Sequence, residues 1–538
     1  MNKCDVVTGL AIGLACIACV PRAHAAGPSC EQLAQLNLPN TKITSAEKVA
    51  AGAFTPPANM TPPSVNFYTQ LPAFCRVKAV ATPSADSDIK IEVWLPASGW
   101  NGKFRGQGNG GFAGEIDYRS LSQSISQGYA AAATDTGHAA SGTDARWALG
   151  HPEKITDFAY RAIHEMTVVG KATVKAFYGD APRHAYFSSC SNGGRQALME
   201  AQRFPEDYDG ILAGAPANYW THLLASAIWN AQVTTLDPSS YIPSSKIPAI
   251  AQAVNDACDA SDGVKDAVLN DPRKCQFKPS TLLCKEGDSD SCLTKAQATA
   301  LEKLYQGARD SKGRQVFPGF VPGGEEGRGG WPLWITGEGP GQSLLFAFGN
   351  GYFSDMVYND ANWNYKTSKL DDAVAASDKK FASVLNSTNP NMKAFASHGG
   401  KLIIYHGWND AAISALNSIN YYESVRETMG PAETDSFLRL YMVPGMQHCF
   451  GGPGTDTFGQ FGSSPQDDPQ HNMYVALEQW VEKGSAPTSV IASRLDGPGP
   501  AAKVVETRPL CAYPQQAKYK GSGDTNDASN FVCAAPEK

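Results

Sequence analysis

Tyr186-Phe-Ser-Ser-Cys-Ser-Asn-Gly-Gly-Arg195 is the stretch from which the fold of this chain is read. The apolar run from Ala185 to Phe187 reads as the end of a buried strand, Gly193 and Gly194 permit a sharp turn, and residues 196–203 read as helix. Strand, tight turn and helix together are the setting of a nucleophile elbow. There a serine Oγ stands exposed above the strand ends while the N–H of the next residue faces the reacting carbonyl. Ser191 is therefore the candidate nucleophile. The pattern is Ser189-x-Ser191-x-Gly193, with serine in place of the first glycine of G-x-S-x-G, and Ser189 is small enough for close strand–helix packing. Taken alone, the same run also serves as an ordinary turn.

Upstream, Ile89, Ile91, Val93 and Leu95 alternate as a strand ending at Pro96. Residues 101–112 then read as a loop directly after that strand. Its Gly106, Gly108, Gly110 and Gly111 offer N–H groups without side-chain obstruction, which an oxyanion hole requires and a plain tight turn also uses. The loop lacks G-x-x-x-x-G-K-[ST], so no nucleotide and no organic cofactor is expected. Residues 129–134 read as another buried strand, closing at Asp135-Thr-Gly-His138; a histidine at such a strand end more often orients a loop than reacts. Ala159, Ile163, Met166, Val169, Val174 and Phe177 are spaced as on a helix covering a sheet face, and residues 211–216 read as the next strand. This alternation predicts a mostly parallel sheet covered on both faces.

Downstream, Lys401-Leu-Ile-Ile-Tyr-His-Gly-Trp-Asn-Asp410 is an apolar strand followed by a loop with an acid. Residues 437–443 form the next strand, and its loop carries Pro444-Gly-Met-Gln-His448-Cys449. Ser191, Asp410 and His448 thus occur in the chain order of an α/β-hydrolase triad, each in a loop at a strand end. Asp410 also reads as the cap of a helix starting near Ala411. His406 is a rival base, set inside the turn just before the acid.

The 538 residues and 42% hydrophobic composition suffice for a large core. The net charge of -7 and the absence of a lysine or arginine cluster give no surface for nucleic acid. Lys3, the apolar run from Val6 to Val20 and Ala23-His24-Ala25 read as a secretory signal peptide over residues 1–25, with a membrane anchor as the alternative. Its removal leaves ten of the thirteen cysteines, a number suited to five disulfides in an oxidising compartment, secreted or periplasmic. Cys30 with Cys75, Cys258 with Cys275, Cys284 with Cys292 and Cys511 with Cys533 are local neighbours. Cys190 and Cys449 remain as a long-range pair, or as free or differently paired thiols. Residues 26–84 read as a polar, proline-rich wrapping segment rather than core. Residues 219–388 lack strand–helix alternation and read as a lid inserted into a catalytic domain of 26–218 and 389–538. Within the insert, Cys258-Asp-Ala-Ser-Asp-Gly-Val-Lys-Asp-Ala-Val268 can supply an all-oxygen sphere for calcium, and serves equally as a solvated acidic turn.

At these residues the chain resembles the tannase and feruloyl esterase family of α/β-hydrolases. The likeness rests on Cys190-Ser191 with Gly193-Gly194, Arg203-Phe-Pro-Glu-Asp-Tyr-Asp209 with Ala213-Gly-Ala-Pro216, and His406-Gly with Asp410. Val443-Pro-Gly-Met-Gln-His448-Cys449 and the tail segments Arg508-Pro-Leu-Cys-Ala-Tyr-Pro514 and Tyr519-Lys-Gly-Ser-Gly-Asp524 extend it. The resemblance implies a secreted serine esterase with a large lid, whose Cys190 and Cys449 are joined beside the triad. It implies Gly111 and Asn192 as oxyanion donors. It also implies calcium in the lid on Asp259, Asp262 and Asp266 and the carbonyls of Val264 and Val268. Its substrates would be small esters of gallic or hydroxycinnamic acids, with mono(2-hydroxyethyl) terephthalate as an alternative and a catalytically silent phenolic-binding protein as another. Trp334 and Ile413 are the expected substrate contacts. Trp331, Trp334, Phe346, Phe348, Tyr352 and Phe353 make a surface suited to an aromatic acyl group, and residues 331–353 contain no arginine or lysine for a free carboxylate.

Overall fold

The computed structural model describes residues 28–57, 68–497, 499 and 501–536; the expected signal peptide lies outside them. A nine-stranded sheet organises the chain. Its strands are β1 (Thr41–Val49), β2 (Phe74–Ala81), β3 (Ile89–Pro96), β4 (Lys103–Gln107), β5 (Ala130–Thr134), β6 (His184–Cys190), β7 (Gly210–Gly214), β8 (Lys401–Gly407) and β9 (Leu438–Val443). The spatial order is β1-β2-β3-β5-β4-β6-β7-β8-β9. Pairings from β1 to β5 are antiparallel, and those from β5 through β4 to β9 are parallel.

Two-residue periodicity sorts the parallel strands into two cores. Ala185, Phe187, Ile211, Ala213, Leu402 and Ile404 face one side, where Ile163, Met166 and Val169 of the helix Ala162–Tyr178 meet Ala197 and Leu198 of the helix Asn192–Arg203. Tyr186, Leu212, Ile403, Tyr405 and Tyr441 face the other, against Leu477 and Trp480 of the helix Met473–Lys483. Covering both faces is what lets near-continuous apolar strands persist, each fully buried Ile, Leu or Phe contributing about 1.5–3 kcal/mol.

Two expectations are corrected. Residues 26–84 are not a wrapping segment only: β1 and β2 extend the sheet, and Cys30, Leu33, Cys75, Val77 and Ala79 lie in its core. The glycine-rich stretch does not follow β3 directly, because residues 103–107 are themselves the strand β4, lying between β5 and β6. Arg105 hides that strand in the sequence. It is buried at 1% exposure, stacked 3.4 Å from the Tyr474 ring centre and donating to Gln127 Oε1 at 2.9 Å.

Between β7 and β8 the described chain adds helices and loops but no strand of the sheet. The helix Trp220–Thr235 packs with Leu344–Gly351 and Leu370–Leu385 around Phe112, Phe158, Tyr352 and Phe353. None of the described helices is long and apolar enough to cross a membrane.

Candidate active site

Ser191, Asp410 and His448 stand just beyond the carboxyl ends of β6, β8 and β9, which are near neighbours in the parallel part of the sheet. Ser191 occupies a strained left-handed backbone position, φ 66° and ψ -125°, and its N–H donates to the Gly214 carbonyl at 2.9 Å. The turn differs from expectation: the left-handed residue is the serine itself and not a glycine. Gly193 and Gly194 serve close packing. A Cβ on Gly194 would lie 2.3 Å from the Gly214 carbonyl oxygen, and one on Gly193 would lie 1.8 Å from Ser189 Oγ. That second distance explains why serine is tolerated at 189 opposite a bare backbone.

Asp410 is buried and uses both oxygens. Oδ2 meets His448 Nδ1 at 2.8 Å and His406 Nε2 at 3.1 Å, while Oδ1 accepts the N–H groups of Ala412 at 2.8 Å and Ile413 at 2.9 Å. Burial works to raise its carboxyl, but the charge and hydrogen bonds of the two imidazoles outweigh it and hold the group well below the usual carboxylate range. Asp410 is not a helix cap, since the next helix begins at Leu416. His406 is fully buried, its Nδ1 paired with Ser418 Oγ at 2.8 Å, and it has no access to the cavity. His448, by contrast, is partly open and lines the same cavity as Ser191, with its Nε2 not engaged by Asp410.

Gly111 sits at φ 55°, where a Cβ would lie 2.3 Å from the Gly142 carbonyl oxygen. Neither its N–H nor that of Asn192, the first residue of its helix, donates a hydrogen bond to another described residue. The loop is fastened to that helix, because the Asn109 N–H donates to Gln196 Oε1 at 2.9 Å. His138 lies elsewhere, its Nε2 on the Phe112 carbonyl at 2.8 Å and its ring stacked on Trp147; burial pulls its pKa down to about 4.

Five disulfides are present: Cys30–Cys75, Cys190–Cys449, Cys258–Cys275, Cys284–Cys292 and Cys511–Cys533. The second spans 259 residues and ties the residue before Ser191 to the residue after His448.

A cavity of about 520 Å³ opens over Ser191 and His448. Trp334 and Ile413 both line it, with Phe348 and Leu345; the Trp334 ring centre lies 5.1 Å from that of His448. Trp331, Tyr352 and Phe353 are core instead, and Phe346 packs on Tyr365. Sequence reasoning missed Trp220, Leu223 and Leu224, which line the cavity from one helix face, and Phe450 and Phe461 at its rim. Their i, i+3, i+4 spacing marks Trp220, Leu223 and Leu224 as one apolar face, which is the signal that was available.

In the acidic loop, Asp259 Oδ1 accepts the Asp266 N–H at 3.2 Å, Asp262 accepts those of Val264 and Asn270, and Asp266 Oδ2 pairs with Arg508 at 2.8 Å. Burial, followed by crowding among neighbouring carboxylates, raises Asp262 and Asp266 above the usual range. Three converging carboxylates with adjacent carbonyls have the donor chemistry of a hard divalent cation.

A family model for tannase and feruloyl esterase matches residues 75–534. The chain is 41% identical to an uncharacterized esterase of Xanthomonas campestris pv. campestris, covering 97% of this chain and 93% of the relative. It is 37% identical to a probable feruloyl esterase B-1 of Aspergillus fumigatus, covering 86% and 85%. The crystal structure of feruloyl esterase B from Aspergillus oryzae superposes with a TM-score of 0.86 at 32% identity, covering 94% of this chain and 99% of that one. An α/β sheet, an elbow serine and this match over most of its length together place the chain in the tannase and feruloyl esterase family of α/β-hydrolases, as an esterase.

Proposed function

We propose that this esterase cleaves small esters of aromatic acids, of hydroxycinnamate or gallate type, through an acyl-serine intermediate. The observation that carries this reading is the composition of the cavity over Ser191. Trp220, Leu223, Trp334 and Phe348 wall it, and no arginine or lysine lines it. An aromatic acyl group fits such walls. A terephthalate monoester would bring a carboxylate to a cavity whose charged lining is Glu115 and Asp117.

In this mechanism Ser191 Oγ attacks the acyl carbon and its proton passes to His448 Nε2, an assistance worth about 10²–10⁴-fold. Asp410 fixes the imidazole with Nδ1 protonated and stabilises its charged form. The carbonyl oxygen, now negative, takes hydrogen bonds from the Gly111 and Asn192 N–H groups, each worth about 2.7–4 kcal/mol in comparable sites. His448 then protonates the leaving alcohol, and water repeats the sequence to free the acid.

Residues 219–388 act as the lid that shapes the acyl cavity. Asp259, Asp262 and Asp266, with the carbonyls of Val264 and Val268, hold a structural calcium ion beneath it. Five disulfides support an oxidising location, secreted or periplasmic, reached through the N-terminal signal.

Hydrolysis of methyl ferulate, methyl gallate, mono(2-hydroxyethyl) terephthalate and p-nitrophenyl acetate by wild type and Ser191→Ala tests the reading. A preference of at least about tenfold in kcat/KM for methyl ferulate or methyl gallate, abolished in the variant, is expected. Near-full activity of Ser191→Ala would overturn it.

A further inference from the structure

A second cavity, about 870 Å³, meets the first at Trp334, His448 and Phe450. It does not touch Ser191, Gly111 or Asn192. One of its walls is Gly323-Gly-Glu-Glu-Gly-Arg-Gly-Gly330, a stretch that none of the roles above uses. That loop is built against the triad. Asn409, one residue before Asp410, donates from Nδ2 to the Gly323 carbonyl at 2.5 Å. Gln447, one residue before His448, accepts the Gly329 N–H at 3.0 Å and donates to the Glu326 carbonyl at 2.7 Å. Glu325 is fully buried and pins the turn from inside, accepting the Tyr305 hydroxyl at 2.6 Å and the Gly323 N–H at 2.8 Å.

With the loop anchored by these groups, the side chains of Glu326 and Arg328 are left exposed. Neither makes a hydrogen bond or ion pair with another described residue, and the same holds for the side chain of Asn255 across the cavity. The wall they face carries the Trp334 indole and Phe450, which is 62% exposed.

We infer that this second cavity is the alcohol-side subsite of the esterase, that it takes a polyhydroxylated, sugar-type alcohol, and that Arg328 is a specificity-determining residue within it. The inference rests on the acyl-transfer reading above. The leaving oxygen receives its proton from His448, so it must lie against the imidazole, on the side away from the acyl group. The cavity that shares His448 but not the nucleophile or the oxyanion donors is where the remainder of the alcohol extends. A methyl or ethyl group would leave this space empty. A sugar ring fills it, with C–H faces on Trp334 and Phe450. Its hydroxyls reach a guanidinium donor, a carboxylate acceptor and an amide that both donates and accepts. Glu326 beside Arg328 offsets the cation, which favours a neutral polyol over a carboxylated alcohol. Binding such a remote group contributes to kcat/KM when its contacts are retained in the transition state.

The test compares kcat/KM for methyl ferulate and for a pentose esterified with ferulic acid at its primary hydroxyl, two substrates sharing one acyl group. The ratio of the two values from a single preparation cancels any general loss of active protein. Wild type should prefer the sugar ester by at least about tenfold, and Arg328→Ala should lower that ratio by about tenfold, with Asn255→Ala lowering it less. A wild-type ratio near one, or an unchanged ratio in Arg328→Ala, would overturn the subsite while leaving hydrolysis of the methyl ester standing. Failure to turn over either ester would instead remove the aromatic-ester reaction, and the subsite with it.

Discussion

Cys190 is bonded to Cys449, so the backbone on either side of the proposed nucleophile–base pair is one covalent unit closed across 259 residues. In the loop-closure model such a bridge contributes up to about 5 kcal/mol, although that account is disputed. Its consequence for rate is geometric, since a displacement of about 1 Å costs roughly a hundredfold. The double variant Cys190→Ser and Cys449→Ser should lose about 10- to 100-fold in kcat with a much smaller change in KM. A kcat within twofold of wild type would show that the two loops hold their places without the bond.

Asp410 offers a separate handle, because its two oxygens divide the work. Oδ1 holds the Ala412 and Ile413 N–H groups and Oδ2 holds the two histidines. Asp410→Asn can keep the first set and loses the charge beside His448. We expect kcat to fall by about 10⁴-fold with circular dichroism unchanged. A loss below tenfold would make Asp410 a structural residue only.

Glu200 lies in the core at 1% exposure, facing Asp207, with His164 and Lys171 nearby. Burial, then the Asp207 carboxylate, raises its pKa well above the ordinary glutamate value. A carboxyl raised in the folded state contributes stability that is complete below its unfolded pKa, about 4.3, and is lost as pH rises toward the folded value. Glu200→Gln should therefore gain more Tm over wild type at pH 8 than at pH 5. Equal differences at the two pH values would mean that Glu200 does not titrate abnormally.

Chelation tests the acidic loop. If calcium binds folded chain only, a hundredfold excess over Kd adds about 2.7 kcal/mol. EDTA should lower the Tm of wild type, added calcium should restore it, and Asp262→Asn should show neither effect. A wild-type Tm indifferent to EDTA would leave the loop as a solvated acidic turn.

Much of the fold was legible because the strands β5 through β9, apart from β4, are short apolar runs buried on both faces, and their loops carry residues in the order of a known constellation. β4 was not, since Lys103, Arg105 and Gly106 argue against a buried strand until Tyr474 and Gln127 are seen to receive the arginine. β1 was hidden differently. As an edge strand with mostly exposed side chains and a register shift between Ile43 and Ser45, it has little apolar alternation to read. In the site, Ser191, Asp410 and His448 could be named from local motifs. Trp220 could not be told from a core residue, because helical spacing marks an apolar face without saying whether a neighbour or a cavity covers it. The role of residues 323–330 depends on Asn409 and Gln447, more than eighty residues further along the chain, and no local pattern reports such contacts.

The central claim is that Ser191 carries an activated hydroxyl, and stoichiometric labelling by a fluorescent alkyl organophosphonate, located by peptide mass spectrometry, tests it most directly. One equivalent on Ser191 in wild type, with labelling slowed by at least about a hundredfold in His448→Ala, is the predicted result. No labelling of folded wild type, or labelling at any other residue, would contradict it.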